Sequence, residues 1–315
     1  DDFVFKLLSE DPQNYRDAPT EAIRRALEFI EGRQIPVGEQ LDGSQIASCR
    51  IGTTIATNAL LEGKGREFAF VTTKGFKDVC VIDDQTRPKL FALNVRKPPA
   101  LHATSVEIDE RITVEDYDLN PFPLDKTAKI TDPALVRTPS GEVIRVLKAL
   151  DSVEVREVLR RLRSAGYKSL VISFLHSYLY PDHENRVAQI AQEMGFETVI
   201  KASEVSPVIK FLQRSSSASS EAYLYPIVND YVTAFQAGFS VLPQRVEFMG
   251  SDGGLRQADR FRGNEALLSG PAGGVVGIAR TCFDAAEGTP VLGFDMGGTS
   301  TDVCRYDGKY DYLTE

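Results

Sequence analysis

The stretch that most constrains this chain lies near its end: Val291-Leu292-Gly293-Phe294-Asp295-Met296-Gly297-Gly298-Thr299-Ser300-Thr301-Asp302-Val303. An apolar run enters an Asp, two adjacent glycines and three hydroxyl residues. A second short run follows and ends at the turn Asp307-Gly308. The pattern predicts strand, tight turn, strand, with chemistry at the tip of a hairpin. Gly297 and Gly298 permit positive φ and close backbone approach to a ligand. Successive N–H groups of such a turn can wrap phosphate oxygens, with Thr299 and Thr301 as added hydroxyl donors. Asp295, at the end of the first strand, is placed to hold a Mg²⁺ shell or orient a nucleophile. Asp302 is its expected partner across the turn. A bare Asp-x-Gly-Gly would fit an ordinary capped hairpin; the full run is far more specific.

That run resembles the second phosphate motif of the actin, sugar-kinase and heat-shock-chaperone ATPase superfamily. More narrowly it is similar to the hydantoinase A/oxoprolinase family. Within it, residues 5–12 and Ser269-Gly270-Pro271-Ala272-Gly273-Gly274-Val275-Val276-Gly277 point to the ATP-dependent 5-oxoprolinase branch. The resemblance implies an α/β, ribonuclease-H-like, two-lobed fold of the actin and sugar-kinase type with an incomplete second lobe. It implies residues 1–204 as the N-terminal region and 205–315 as the start of the second domain. ATP and Mg²⁺ are the implied cofactors, with Asp295 as metal ligand and Asp295 and Asp302 as catalytic carboxylates. A small cyclic amide, 5-oxoproline, is the implied substrate. A hydantoinase-B-like region or subunit and a homodimer are the implied partners. N-methylhydantoin hydrolysis, ATP-dependent ketone carboxylation and a non-catalytic actin-like nucleotide binder are the alternatives. The chain opens without Met, within a strand-like run, and stops after another at residues 310–313, so both ends read as cuts through a larger protein.

Composition narrows the partners. With 45 acidic against 36 basic residues the net charge is −9, and no long basic run exists, which argues against nucleic acid or an anionic membrane as partner. No stretch approaches 18 consecutive apolar residues. Cys49, Cys80, Cys282 and Cys304 are scattered without a C-x-x-C pair, which fits reduced thiols in a cytoplasmic protein. Three histidines are too few for a His-rich metal site.

Elsewhere the order reads as helices alternating with strands. Pro19 opens a helix with Ile23, Leu27 and Ile30 on one face and Gly32 as its stop. A strand at 46–51 feeds Gly52-Thr53-Thr54 and a helix through Asn58 to near Gly63. Its threonines are either helix caps or an oxygen-rich pocket wall at a helix N-terminus; the resemblance favours the wall, with Thr53, Thr54 and Asn58 as substrate contacts. A strand at 67–72 precedes residues 79–85. In that segment the family pattern Ile-Gly-x-Gln is replaced by Ile82-Asp83-Asp84-Gln85, and on a strand the two carboxylates would face opposite ways.

Residues 112–144, rich in proline, read as a long irregular excursion. A helix at 153–165, a central strand at 169–175, a helix at 181–195 and a strand at 198–200 follow, with His176 just past the strand's carboxyl end. Arg214 starts a polar serine run expected to enter a helix near Ser219, and the resemblance marks it as a substrate or anion contact. A strand at 245–249 delivers the turn Ser251-Asp252-Gly253-Gly254, where Asp252 and Gly253 are implied pocket residues. Gly273, Gly274 and Gly277 within a helix cost about 1 kcal/mol each relative to Ala, which implies another backbone or a ligand close to that face; Gly273 and Gly274 are thus candidate nucleotide contacts. Neither a G-x-G-x-x-G fingerprint nor a G-x-x-x-x-G-K-[ST] loop is present.

Overall fold

In the computed structural model, which describes residues 3–311 other than 10, 85, 87–88, 96, 116, 118 and 123–128, the run Ser169–Ser173 is a strand buried along its whole length. A strand apolar on both sides belongs inside a parallel sheet covered on both faces. It pairs in parallel with Ala69–Thr73 and with Thr198–Lys201, and Thr104–Ile108 completes the four-stranded sheet. Helices Ser152–Ser164 and Asp182–Glu193 press Val155, Leu159, Val187 and Ile190 onto one face. On the other, Ala218 and Ala222 of the long helix Phe211–Ala237 meet Phe68 and Phe70. Each such buried Leu, Ile, Val or Phe side chain contributes about 1.5–3 kcal/mol. This compact unit is Gly65–Tyr223.

The second unit joins two distant stretches, Asp1–Lys64 and Leu224–Glu315. Helix Ala18–Glu31 has Pro19 in its first turn and closes at Gly32, φ +66°, both as expected; Asp17 caps it by accepting the Thr20 N–H. Strand Cys49–Ile51 lies parallel to Val246–Met249, which pairs antiparallel with Leu255–Gln257. Helices Ile55–Leu61 and Ser269–Thr281 and the hairpin Val291–Met296/Thr301–Tyr306 complete the part that matters for the site. The mixed α/β architecture matches the expectation. Among the described residues no helix is long and apolar enough to cross a membrane.

Several local expectations are corrected. Residues 112–144 are not a structureless excursion. Arg111–Val114, Val143–Lys148 and Leu135–Arg137 form an antiparallel sheet, and Arg145 clamps Glu115 with two hydrogen bonds and Asp132 with a third. The prolines fall between these strands or just outside them, and Pro123 lies outside the described residues. Residues 79–85 hold a helical turn, Val79–Ile82, and not a strand; Gln85 lies outside the described residues. Asp83 and Asp84 do not diverge: both reach Lys97 Nζ, at 3.0 and 3.4 Å. Asp83 sits at φ +57°, ψ −165°, a conformation almost reserved for glycine, which costs a side-chain-bearing residue about 1–3 kcal/mol. The serine run is helical from Phe211 onward, because Ser215 and Ser219 are buried and Ser215 Oγ bonds Ser173 Oγ at 2.8 Å. Tertiary burial outweighs the weak helix propensity of serine.

Candidate functional site

The alternation of the two hairpin strands decides which residues share a face. In register, Asp295 stands opposite Asp302, Gly293 opposite Cys304 and Met296 opposite Thr301. Asp295, Asp302, Gly293 and Cys304 line a cavity of about 100 Å³ together with Gly274 and Ile278 of the helix Ser269–Thr281. The opposite face carries Leu292, Phe294 and Met296, all well exposed. Thr301, paired with Met296, belongs to that apolar face and is not brought into the cavity. The loop 297–300 is closed by the Gly297 N–H donating to Ser300 O at 3.0 Å. Neither Gly297 nor Gly298 takes positive φ. A Cβ would find only ordinary contact at Gly297 and open space at Gly298, so these glycines leave the tip uncovered and do not serve a left-handed turn. Thr299 is exposed in this loop.

Two carboxylates directly opposite on one face repel. Among the described residues neither has an ion-pair partner; Asp302 only accepts a 3.4 Å hydrogen bond from Ser300 Oγ. A divalent cation fits this pair. Mg²⁺ is commonly held by one or two carboxylates with water and substrate phosphate completing its shell. Among the described residues no group of three or more His, Cys, Asp or Glu forms an all-protein metal cage.

The helix Ser269–Thr281 ties the other candidate segments to this hairpin. At its start, the Thr53 N–H donates to Ser269 Oγ at 3.2 Å, and Thr57 Oγ1 donates to Leu267 O. A Cβ on Gly270 would lie 2.4 Å from Thr54 Cγ2, so this is the close-packed glycine of the helix. Asn58 Nδ2 donates to Thr54 Oγ1 at 3.4 Å. Midway, Val276 Cγ2 would lie 3.2 Å from a Cβ on Gly253, which holds φ +77°. The Asp252 carboxylate is already committed, accepting from Gly254 N at 2.9 Å and Arg256 Nη2 at 2.7 Å; these bonds hold it below the usual carboxylate range. The expectation that another backbone presses on Gly274 and Gly277 is not met: nothing lies within 4 Å of a Cβ at either, and Gly273 meets only Met249 at 3.8 Å. The space beside Gly274 is the cavity shared with Asp295 and Asp302.

Gly293 is a further residue on which the site depends. A Cβ there would come within 2.0 Å of Ile278 Cδ1 and 2.6 Å of Cys304 Sγ. A glycine interrupting an apolar strand was the available signal.

Arg214 lies in the other unit and is fully buried. It donates to Val208 O at 2.6 Å and Phe174 O at 3.0 Å, between the rings of Tyr178 and Phe211. In this arrangement it braces backbone carbonyls.

Comparison with known proteins adds the family context. The pattern described as "Hydantoinase/oxoprolinase N-terminal region" matches residues 3–195, and that described as "Hydantoinase/oxoprolinase" matches residues 214–315. The chain is 65% identical over 312 residues to the 5-oxoprolinase PfmaA of Pestalotiopsis fici, covering 99% of the chain and 24% of that protein. It is 50% identical over 316 residues to the 5-oxoprolinase of Saccharomyces cerevisiae, covering 100% of the chain and again 24% of the relative. The chain thus spans about a quarter of the length of these relatives. Among solved structures, nucleotide-free acetone carboxylase superposes with TM-score 0.66 at 20% identity, over 84% of this chain and 35% of that one. The ATP-dependent caprolactamase of Pseudomonas jessenii gives 0.59 at 24% identity, over 91% and 38%. These two likenesses show the fold.

Proposed function

As the chain belongs to the hydantoinase/oxoprolinase family, we propose that it carries the phosphate site of an enzyme that opens 5-oxo-L-proline to L-glutamate at the expense of ATP. The observation that carries this reading is the facing pair Asp295 and Asp302 beside the Gly274 cavity and the open loop 297–300. A lactam resists water because resonance gives its C–N bond partial double-bond character. Transfer of the γ-phosphoryl group to the amide oxygen breaks the bond to ADP and removes that resonance. Water then adds to the activated carbon and the ring C–N bond breaks, leaving a γ-glutamyl phosphate; a second water displaces phosphate from that acyl group to give glutamate.

In this reading Mg²⁺ supplies charge neutralisation at the phosphates, held by Asp295. The N–H groups of 297–299 stabilise charge developing on the transferred group. Thr299 adds a hydroxyl at the tip, and Asp302 supports Asp295 from the second strand. Gly273 and Gly274 leave room for the nucleotide, while Thr53, Thr54, Asn58, Asp252 and Gly253 belong to the substrate side. Residues 1–204 and 205–315 act as two sequence regions, and a hydantoinase-B-like region and a homodimer complete the assembly.

The test is ADP and glutamate release by the full-length protein given Mg-ATP, with and without 5-oxo-L-proline, beside Asp295→Ala. Coupled release of both products, lost in the variant, is expected. ADP release driven by a hydantoin, or by a ketone with bicarbonate, would overturn the substrate while keeping the phosphate site.

A further inference from the structure

The parallel sheet of the unit Gly65–Tyr223 reverses its direction of winding between Ala69–Thr73 and Ser169–Ser173. From Ala69–Thr73 the chain goes to Thr104–Ile108 on one side, then crosses to Ser169–Ser173 and Thr198–Lys201 on the other. Open parallel sheets carry ligands beyond the carboxyl ends of the strands at such a switch point. The two central strands are tied together there, where Leu175 N donates to Thr73 Oγ1 at 3.1 Å.

His176 comes next, at φ +56°. Only Asp83 and His176 take positive φ without being glycine among the described residues. Such backbone strain gathers at functional sites. The imidazole is half-buried and has no hydrogen-bond partner among the described residues. Arg111 lies just past the end of Thr104–Ile108, its guanidinium 5.1 Å over the Phe76 ring, with Lys148 opposite it in register. Two cations so placed repel. Neither has an ion-pair partner among the described residues.

The acids beside Arg111 in the chain are engaged elsewhere. Asp109 pairs with Lys74 at 3.2 Å, while Glu110 accepts from Thr73 Oγ1 and lies 2.7 Å from His183 Nδ1. Burial lowers the pKa of His176, and the charges of Arg214 and Arg111 lower it further against the opposing pull of Glu110. The imidazole is thus a neutral group in a positive field, at a place where parallel sheets take ligands.

We propose that Arg111, with Lys148 opposite it and His176 at the strand end, binds a small oxyanion, phosphate or carboxylate, at this switch point. The guanidinium presents paired N–H donors that match two oxygens of such a group. Lys148 adds a second charge, and the neutral imidazole donates one N–H. The site belongs to the unit that lacks Asp295 and Asp302, and its argument does not depend on the ring-opening reading.

Calorimetric titration of the full-length protein with inorganic phosphate and with succinate, without nucleotide or Mg²⁺ and at fixed ionic strength, tests this. Arg111→Met keeps a long stem over Phe76, so the melting temperature should hold while anion affinity falls at least tenfold. Lys148→Gln should weaken binding by a smaller factor. His176→Gly suits the left-handed backbone and should raise the melting temperature, yet weaken the anion; a merely structural His176 would leave affinity unchanged. Binding of phosphate alone makes the ligand a phosphoryl group, and of succinate alone a carboxylate; binding of both means that charge is read, and each keeps the site. Binding of neither, or unchanged affinity in Arg111→Met or His176→Gly, overturns it. Phosphate binding that Gly274→Val removes and Arg111→Met leaves intact belongs to the hairpin, and also overturns it.

Discussion

Ile278 places its Cδ1 2.0 Å from the point where a Cβ on residue 293 would stand, so the helix Ser269–Thr281 reaches the hairpin only because Gly293 lacks a side chain. This contact sets the distance between Gly274 and the carboxylates, and with it the width of the cavity. Gly293→Ala should therefore destabilise the protein by about 1–3 kcal/mol through overpacking. Pairing it with Ile278→Ala should cost less than the two single changes added together, since the second removes the obstacle. Denaturant midpoints of the four proteins measure this; strict additivity would mean that the two residues do not meet.

Gly274→Val separates stability from activity. A Cβ there meets nothing within 4 Å, and Val has a somewhat better helix propensity than Gly, so the melting temperature should hold or rise. ADP release should nonetheless be abolished, because the side chain grows into the cavity lined by Asp295 and Asp302. Retained turnover would show that the cavity is not where phosphate groups sit.

Asp302→Asn removes one of two facing charges, which should stabilise the hairpin by a few tenths of a kcal/mol. Mg-nucleotide affinity should fall at least tenfold as a metal-side carboxylate is lost. The pair of measurements, thermal melting and nucleotide titration, is decisive: a fall in stability with unchanged affinity would assign Asp302 to the fold alone.

Arg214→Met leaves the carbonyls of Val208 and Phe174 without their donor in a buried setting. A loss of about 2–4 kcal/mol is expected for those unsatisfied groups. If the variant instead keeps its stability and only raises the KM for the lactam, Arg214 is a substrate contact and the bracing role is wrong.

Cys80 should resist alkylation at neutral pH. Its pKa, raised to about 11 by burial and secondarily by Asp83, lies above the ordinary 9.0, so burial favours the thiol. The stability this contributes is full below pH 9 and is lost as pH rises through about 11. Iodoacetamide with mass mapping at pH 8 should modify exposed Cys282 well before Cys80. Equal rates would mean that Cys80 is not shielded.

Much of the fold was legible because its determinants are local. Asp17, Pro19 and Gly32 bound a helix by capping, the apolar run at Ser169–Ser173 announces a central strand, and Asp295 to Asp302 spells a hairpin. Each depends on residues a few positions apart, whose spacing survives in the sequence. What the sequence could not carry was pairing across distance. The strands around Arg145 were hidden among prolines, the serine run became helix because Ser173 and the sheet bury it, and Asp83 turned towards Lys97 and not away from Asp84. In the helix Ser269–Thr281 and the hairpin it meets, the close-packed glycines are Gly270 and Gly293, while Gly274 borders open space. The sequence by itself determined which residues bear carboxylates, hydroxyls and missing side chains. Only the tertiary structure decided which of them face one another, since contacts between distant segments follow from how helices and sheets pack.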